Sequence, residues 1–361
     1  MRVYLLSTAV APLGSGLGGG VEHMVVSAAR QLHALGYPVQ VIAPVGSQAD
    51  VPDLRILPGL LAPTAMTLAY NDPLPVEAEA FLSAAVRDLA ARARSDDVIL
   101  NFSYDWLPLF AGEFLPCPLA TLVSMGSVNR SLDAEIHRLA SRQPARLAFL
   151  SAAQAASFGI VEPVRLIPPG LDLSRYPYNS QPGRTLCWLG RIAPEKGLDD
   201  IFAFSARTGQ VVTVFGPMQE RFYWETLVRR HPDVPVSYGG FLRLPALAET
   251  VSEFRAILMT PKCLEAFGVI GIEALACGTP VIAYRRGGLG EYVRDGETGW
   301  LVEPDDIEGL CAAVERVEGI DRARCRRWVE ERYTLRHYGA ALADWFGALA
   351  ARAPTSTDAI P

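Results

Sequence analysis

Several things are scarce in this chain of 361 residues, and each scarcity excludes something. Lysine and arginine number 33 against 39 aspartates and glutamates, a formal net charge of -6. That balance disfavours nucleic acid as a main partner, because nucleic acid asks for a basic face. No run of about 18 or more apolar residues occurs, so no helix is expected to span a membrane. The opening residues Met1–Ser7 meet Pro12 and a run of glycines too soon to form a signal peptide, and a cytoplasmic location is expected. The six cysteines, Cys117, Cys187, Cys263, Cys277, Cys311 and Cys325, form no C-x2-C pair and have no histidine at ligand spacing. They are expected to be buried free thiols.

What is present is apolar and rhythmic. Half the residues are hydrophobic and the length suits about two domains. Val3–Ser7 is expected as a strand, residues 12–20 as a glycine-rich loop, 21–35 as a helix and Val39–Ala43 as a second strand, the opening of a nucleotide-type α/β domain. Gly14 to Gly19 has the G-x-G-x-x-G spacing, but no acidic residue ends the second strand; a plain glycine loop stays open as a reading, and a nicotinamide dehydrogenase is disfavoured. Residues 48–75 read as irregular, 76–94 as a helix, and 98–102, 119–123, 149–151 and 164–167 as strands. The boundary is expected at the stiff connector Pro168–Asp172, giving domains over 1–168 and 169–334. Strands over 185–191, 211–215, 236–238, 256–259, 281–284 and 298–302 fill the second domain, and a last helix covers about 335 to 350. Residues 353–361 are expected to be a disordered tail.

Ligands of open α/β sheets bind beyond the C-terminal ends of strands. That rule puts Asn101, Tyr104, Asp105, Trp106, Ser124 and Met125 where an acceptor sits, although Asp105 also suits a helix cap and Trp106 a core. Arg130, Arg138, Arg142 and Arg146 recur along one helix and read as a solvated face lacking aromatic anchors. In the second half, Glu265 and Glu273 bracket one helix N-terminus. The amides from Phe267 to Ile270 make a seat for phosphate there, and Gly268 permits close approach. Arg191 and Lys196 emerge from one strand-to-helix turn and suit a diphosphate, one as a planar fork and one as a point charge. Together these groups suit a sugar nucleotide.

The pattern E-x7-E, followed by E-A-L-A-C-G-T-P-V-I-A and G-G-L-G-E, with G-R-x-x-x-E-K-G before it, resembles glycosyltransferase family 4. The resemblance covers nearly the whole chain and runs strongest from Gly190 to Pro304. It implies a GT-B fold, two Rossmann-like domains with parallel sheets facing across a cleft and a terminal helix crossing back to the first. It also implies a retaining, metal-independent transferase. Consistent with that, no D-x-D segment stands at a plausible metal site. No cofactor is implied; the donor is a substrate. By this resemblance Glu265, Phe267, Gly268 and Val269 hold the hexose side, Glu273 the ribose, Arg191 and Lys196 the diphosphate with Gly19 and Gly20 opposite, and Phe241 and Leu242 the base. Arg191, Lys196 and Glu265 are the implied catalytic groups. Relatives often carry a histidine after the strand ending at Val123; here Ser124-Met125-Gly126 stands instead, so no general base carries over. A narrower resemblance rests on P-L-G-S-G-L-G-G-G-V-E, N-F-S-Y-D-W-L-P, L-V-S-M-G-S and G-L-D-L-S-R-Y. It points to the UDP-glucose:tetrahydrobiopterin glucosyltransferases and implies UDP-glucose as donor and a reduced pterin as acceptor. A lipid or polysaccharide acceptor, or a non-catalytic sugar-nucleotide binder, are the alternatives.

Overall fold

The computed structural model describes residues 1–350 apart from 64, 66–68, 76 and 162. The expected tail over 353–361 lies outside the described residues. The chain divides into two compact units, Met1–Gly170 with Leu335 onward, and Leu171–Thr334.

In the first unit the order is β1 (Val3–Leu6), α1 (Gly20–Ala34), β2 (Val39–Pro44), β3 (Leu54–Leu57), α2 (Phe81–Arg92), β4 (Val98–Asn101), α3 (Trp106–Ala111), β5 (Leu119–Val123), α4 (Arg130–Arg142), β6 (Leu147–Phe149) and α5 (Ala152–Ser157). The six strands form one parallel sheet in the order β3-β2-β1-β4-β5-β6. Every residue of β1, β2, β4, β5 and β6 is buried. Strands covered on both faces are near-continuous apolar runs, which is why they were legible.

Four expectations needed correction here. Residues 48–75 contain an edge strand, β3, which the flanking Pro52 and Pro58 disguise. The helix expected over 76–94 begins at Phe81, and Val76 lies outside the described residues. The strand expected over 149–151 ends at Phe149, because Ser151 instead caps α5 by accepting from the Gln154 amide. Residues 164–167 contribute only a bridge between Phe149 and Leu166.

The second unit repeats the plan with β7 (Leu186–Leu189), α6 (Leu198–Thr208), β8 (Val212–Phe215), α7 (Arg221–Arg230), β9 (Val236–Gly240), α8 (Ala246–Ser252), β10 (Ala256–Met259), α9 (Val269–Ala276), β11 (Val281–Tyr284), β12 (Gly299–Val302), α10 (Ile307–Glu315) and α11 (Arg322–Arg332). Its parallel sheet runs β12-β11-β10-β7-β8-β9. The last helix, α12 (Leu335–Ala350), belongs to the first unit. It lies on α1: Tyr338 donates to the Met24 carbonyl at 3.3 Å, and Trp345, fully buried, donates to the Ala145 carbonyl at 2.6 Å.

In each parallel sheet the order in which strands are added reverses between two neighbouring strands, β1 and β4 in the first unit and β7 and β10 in the second. Loops leaving such a pair diverge and open a crevice at the strand ends. The loops after β7 and β10 carry Arg191, Lys196 and Glu265; those after β1 and β4 carry the glycine run and Tyr104–Trp106.

Candidate active site

In the second unit the two crevice loops are zipped together by backbone. Lys262 and Cys263 amides donate to the Glu195 carbonyl at 2.9 and 3.3 Å. Thr260 joins the loops by its side chain, donating to the Gly197 carbonyl at 2.8 Å and accepting from the buried Trp188 indole at 3.2 Å. Gly197 is in the left-handed region at φ 68°, and a Cβ there would stand 1.8 Å from the Thr260 carbonyl oxygen, so only glycine permits the approach.

Lys196 pairs with the Glu265 carboxylate. Burial is the largest influence and works to lower the ammonium's pKa, but the charge and hydrogen bond of Glu265, with the nearby Cys263, together hold Lys196 above its ordinary value. Arg191 pairs with Glu195 at 2.8 Å and also donates to Gln219. Glu265 is held from behind: its carbonyl accepts from the Gly288 amide at 2.7 Å, and Gly287, at φ 68°, packs its Cα where a Cβ would lie 2.0 Å from that carbonyl oxygen. This explains the G-G in the following motif.

The helix start is set by Gly268, the N-cap of α9 at φ 79°. Its carbonyl accepts from the Tyr292 hydroxyl at 2.8 Å. Phe267 is 2 % exposed and packs on Tyr292 and Tyr333 at ring distances of 5.3 and 5.6 Å. Its side chain is therefore an anchor, and only its backbone has a place in a ligand seat. The first turn of any helix leaves amides without intrahelical acceptors, and α9 begins directly after Gly268. Glu273 is the fifth residue of α9 and accepts from the Tyr176 hydroxyl at 2.8 Å. Phe241 and Leu242 follow β9; Phe241 is 41 % exposed with the Arg243 guanidinium 5.8 Å from its ring centre.

The first unit holds the other candidates. The glycine loop closes on a residue of α1. The Glu22 carboxylate, 5 % exposed, accepts from the amides of Gly14 at 2.7 Å, Gly16 at 3.2 Å and Gly18 at 2.5 Å, and from the Ser15 hydroxyl at 3.2 Å. Three alternate amides converging on one carboxylate make an anion nest that the protein fills itself. Gly19, at φ 63°, is the N-cap of α1, and Gly20 is the first helical residue.

Beyond β1 and β4 lies a cavity of about 460 Å³, lined among others by Ala9, Leu60, Pro63, Leu74, Tyr104, Asp105, Trp106 and Leu132. Asp105 caps α3, accepting from the Leu107 amide at 2.9 Å; burial pushes its carboxyl above the usual range although that amide works against the shift. Asp105 thus caps a helix and also lines the cavity. Trp106 stacks on Phe110 at 4.7 Å, and Tyr104 donates to the Gly126 carbonyl at 3.0 Å.

Three residues expected beside an acceptor do not line this cavity. Asn101 is fully buried, its side chain spent on Ser103 and Thr121, so it braces the loop after β4. Ser124 and Met125 are not among the cavity's lining residues, and the backbone beside them is held by Gln154, which donates to the Val123 and Met125 carbonyls at 2.7 and 2.8 Å. Residues not foreseen are Asp72, Glu77 and Arg130 in the cavity wall, Glu22 of α1 under the glycine loop, and Tyr176. Arg138 of the arginine stripe is paired with Glu113 and Glu135, and Arg146 donates to the Gly112 carbonyl at 3.3 Å.

Comparison with known proteins follows the same division. Residues 178–334 match the family model of Glycosyl transferases group 1. The D-inositol 3-phosphate glycosyltransferase of Rhodococcus jostii is 27 % identical over 372 residues, covering 87 % of this chain and 80 % of its own. The glycogen synthase of Mycobacterium tuberculosis is 27 % identical, covering 91 % and 88 %. Among solved structures, Anabaena Alr3699/HepE in complex with UDP-glucose superposes with a TM-score of 0.74 at 16 % identity, over 96 % of this chain and 100 % of that one. The fold is GT-B, and residues 178–334 carry the pattern of a glycosyltransferase family.

Proposed function

We propose that this GT-B glycosyltransferase moves glucose from UDP-glucose to a side-chain hydroxyl of tetrahydrobiopterin or a related reduced pterin, with retention at the anomeric carbon. The donor half rests on the second unit. Lys196 and Arg191, leaving β7, are the cations for the diphosphate; the first turn of α9 supplies amides; Glu265 takes hexose hydroxyls and Glu273 the ribose. That a protein of the same fold was crystallised with UDP-glucose supports this donor.

The resting site is neutral within itself, with Lys196 on Glu265 and Arg191 on Glu195. Donor binding then works by exchange. The diphosphate takes the ammonium, and Glu265 turns its oxygens to the sugar. In the reaction the bond between the anomeric carbon and the phosphate oxygen breaks, the acceptor oxygen bonds to that carbon on the same face, and its proton passes to the departing phosphate. Charge growing on the leaving group is what Lys196 and Arg191 stabilise. No side chain is required as nucleophile.

The acceptor half rests on the cavity of the first unit, and one observation carries it. Asp105 and Trp106 line a largely aliphatic chamber whose charged groups are Asp72, Glu77 and Asp105 against Arg130 alone. An acidic wall repels a phosphate-bearing acceptor, such as the one that names the Rhodococcus relative. It suits a neutral ring system whose N–H edge donates to a carboxylate and whose face rests on an aromatic. A lipid acceptor has one observation of its own: Phe110 and Phe114 continue the stack from Trp106 at 41 % and 71 % exposure.

The test is an anaerobic assay with UDP-glucose and tetrahydrobiopterin in the presence of EDTA, scored for a glucosylated pterin by mass. Product that disappears in Glu265→Ala and Lys196→Ala supports both halves. UDP release without a pterin product, lost in both variants, keeps the donor and discards the pterin. Acceptor screening then passes to lipids and glycans.

A further inference from the structure

Glu273 has a partner that the E-x7-E pattern does not contain. Tyr176 lies outside that motif, in the segment that opens the second unit, 97 positions before Glu273, and its hydroxyl donates to Glu273 Oε1 at 2.8 Å. The tyrosine is 5 % exposed. Burial and the neighbouring carboxylate push its phenol far above the ordinary range, so it stays a donor at every working pH.

Its backbone is as firmly held as its ring. Arg326 of α11 donates from Nη1 to the carbonyls of Tyr176 at 2.8 Å and Ala276 at 2.6 Å, and from Nη2 to that of Leu173 at 3.4 Å. Ala276 is the last residue of α9, so one guanidinium ties the tyrosine's own peptide to the helix that bears Glu273. Three residues on, the Asn179 amide donates to the Cys277 carbonyl at 3.2 Å, continuing the seam along the end of the same helix. A donor whose ring is packed and whose peptide is braced against the acceptor's helix holds a carboxylate in one rotamer without paying for order at the moment of binding.

We propose that Tyr176 is a positioning residue for the ribose of the nucleotide donor, fixing the Glu273 carboxylate so that it meets the vicinal hydroxyls. A phenylalanine at this position packs the same space but lacks the hydroxyl, so packing and positioning are separable. The inference rests on the reading of Glu273 as the ribose carboxylate.

The experiment is calorimetric titration of wild type, Tyr176→Phe, Glu273→Gln and the double variant with UDP and with 2′,3′-dideoxy-UDP. For UDP, Tyr176→Phe is expected to weaken binding about tenfold, the loss of one hydrogen bond to a charged group. The two proteins are expected to bind dideoxy-UDP alike, and Tyr176→Phe is expected to add nothing in the Glu273→Gln background. Steady-state kinetics should show the loss in KM for the donor with kcat nearly unchanged, a split that general loosening of the fold does not produce. Equal UDP affinity in wild type and Tyr176→Phe overturns the inference while leaving the donor site intact. So does an equal loss for both nucleotides. Wild type that fails to bind UDP overturns the donor reading itself, and the inference with it. Glu273→Gln bound as tightly as wild type removes the ribose role and overturns the inference through its premise.

Discussion

Two glycine-bearing loops in this molecule, each leaving one of the two central strands of its sheet, treat negative charge in opposite ways. The loop after β1 gathers the amides of Gly14, Gly16 and Gly18 around Glu22, a carboxylate from its own following helix. The loop after β10 also carries a carboxylate, Glu265, but turns it to the Lys196 ammonium of the neighbouring loop. One loop is an anion nest already filled; the other presents a carboxylate paired with a lysine of the neighbouring loop. Glycine content alone does not tell them apart. What separates them is where the nearest carboxylate is rooted: on the helix the loop feeds, or in the loop itself opposite a cation.

The largest expected effect comes from breaking the pair of Lys196 and Glu265. Glu265→Ala and Lys196→Ala should each lower kcat/KM by about 100-fold or more, since each removes charge complementarity at the reacting centre. Melting curves should stay close to wild type. A fall in activity matched by an equal fall in stability would make the pair a structural one and collapse the contrast with the first loop.

Breaking the filled nest should act on stability instead. Glu22→Ala deprives the three amides and the Ser15 hydroxyl of their common acceptor, at a cost of roughly 2–3 kcal/mol in denaturant unfolding. Glu22→Gln should recover part of that, because its carbonyl still accepts.

A smaller effect is expected at Asp105, whose carboxyl burial raises above the ordinary range. As pH falls toward its midpoint the group protonates before an exposed aspartate would, and an acceptor that donates to the carboxylate loses affinity. Acceptor KM should therefore rise on mild acidification in wild type and stay flat in Asp105→Asn.

The smallest effect calibrates the first unit away from its loop. Burial alone would raise the Asp88 pKa, but Arg92 and Arg55 outweigh it and hold the carboxyl below its unfolded value of 3.8. A depressed carboxyl stabilises the fold above the unfolded pKa, and that contribution is lost as pH falls through the lower folded value. Asp88→Asn should cost about 1 kcal/mol or less near neutrality. It should also flatten the acid limb of the stability curve, read by unfolding at several pH values.

Most strands were legible because both faces of each sheet are covered, so buried runs such as Val98–Asn101, Leu119–Val123 and Val281–Tyr284 stand out without any alternation. The edge strand Leu54–Leu57, less buried and framed by prolines, did not. The site divided the same way. Glu265, Lys196, Arg191 and Gly268 were visible because loop and helix-start chemistry is local. Asn101, Ser124 and Met125 stand off the cavity lining, because the end-of-strand rule gives an address and not a side-chain direction; Asn101 is spent on Thr121 of the neighbouring strand.

By itself, then, the sequence determined most of the strands and helices of two α/β units and the residue types that follow the strands, since short buried runs and glycine-led helix starts are properties of neighbouring residues. Only the tertiary structure decided partners: Glu22 with its own loop, Lys196 with Glu265, Tyr176 with Glu273, Asp72 and Glu77 with Asp105 in one cavity wall. Many of these pairings join residues tens of positions apart. Which donor meets which acceptor is settled by how helices and loops pack, a long-range outcome that no local spacing encodes.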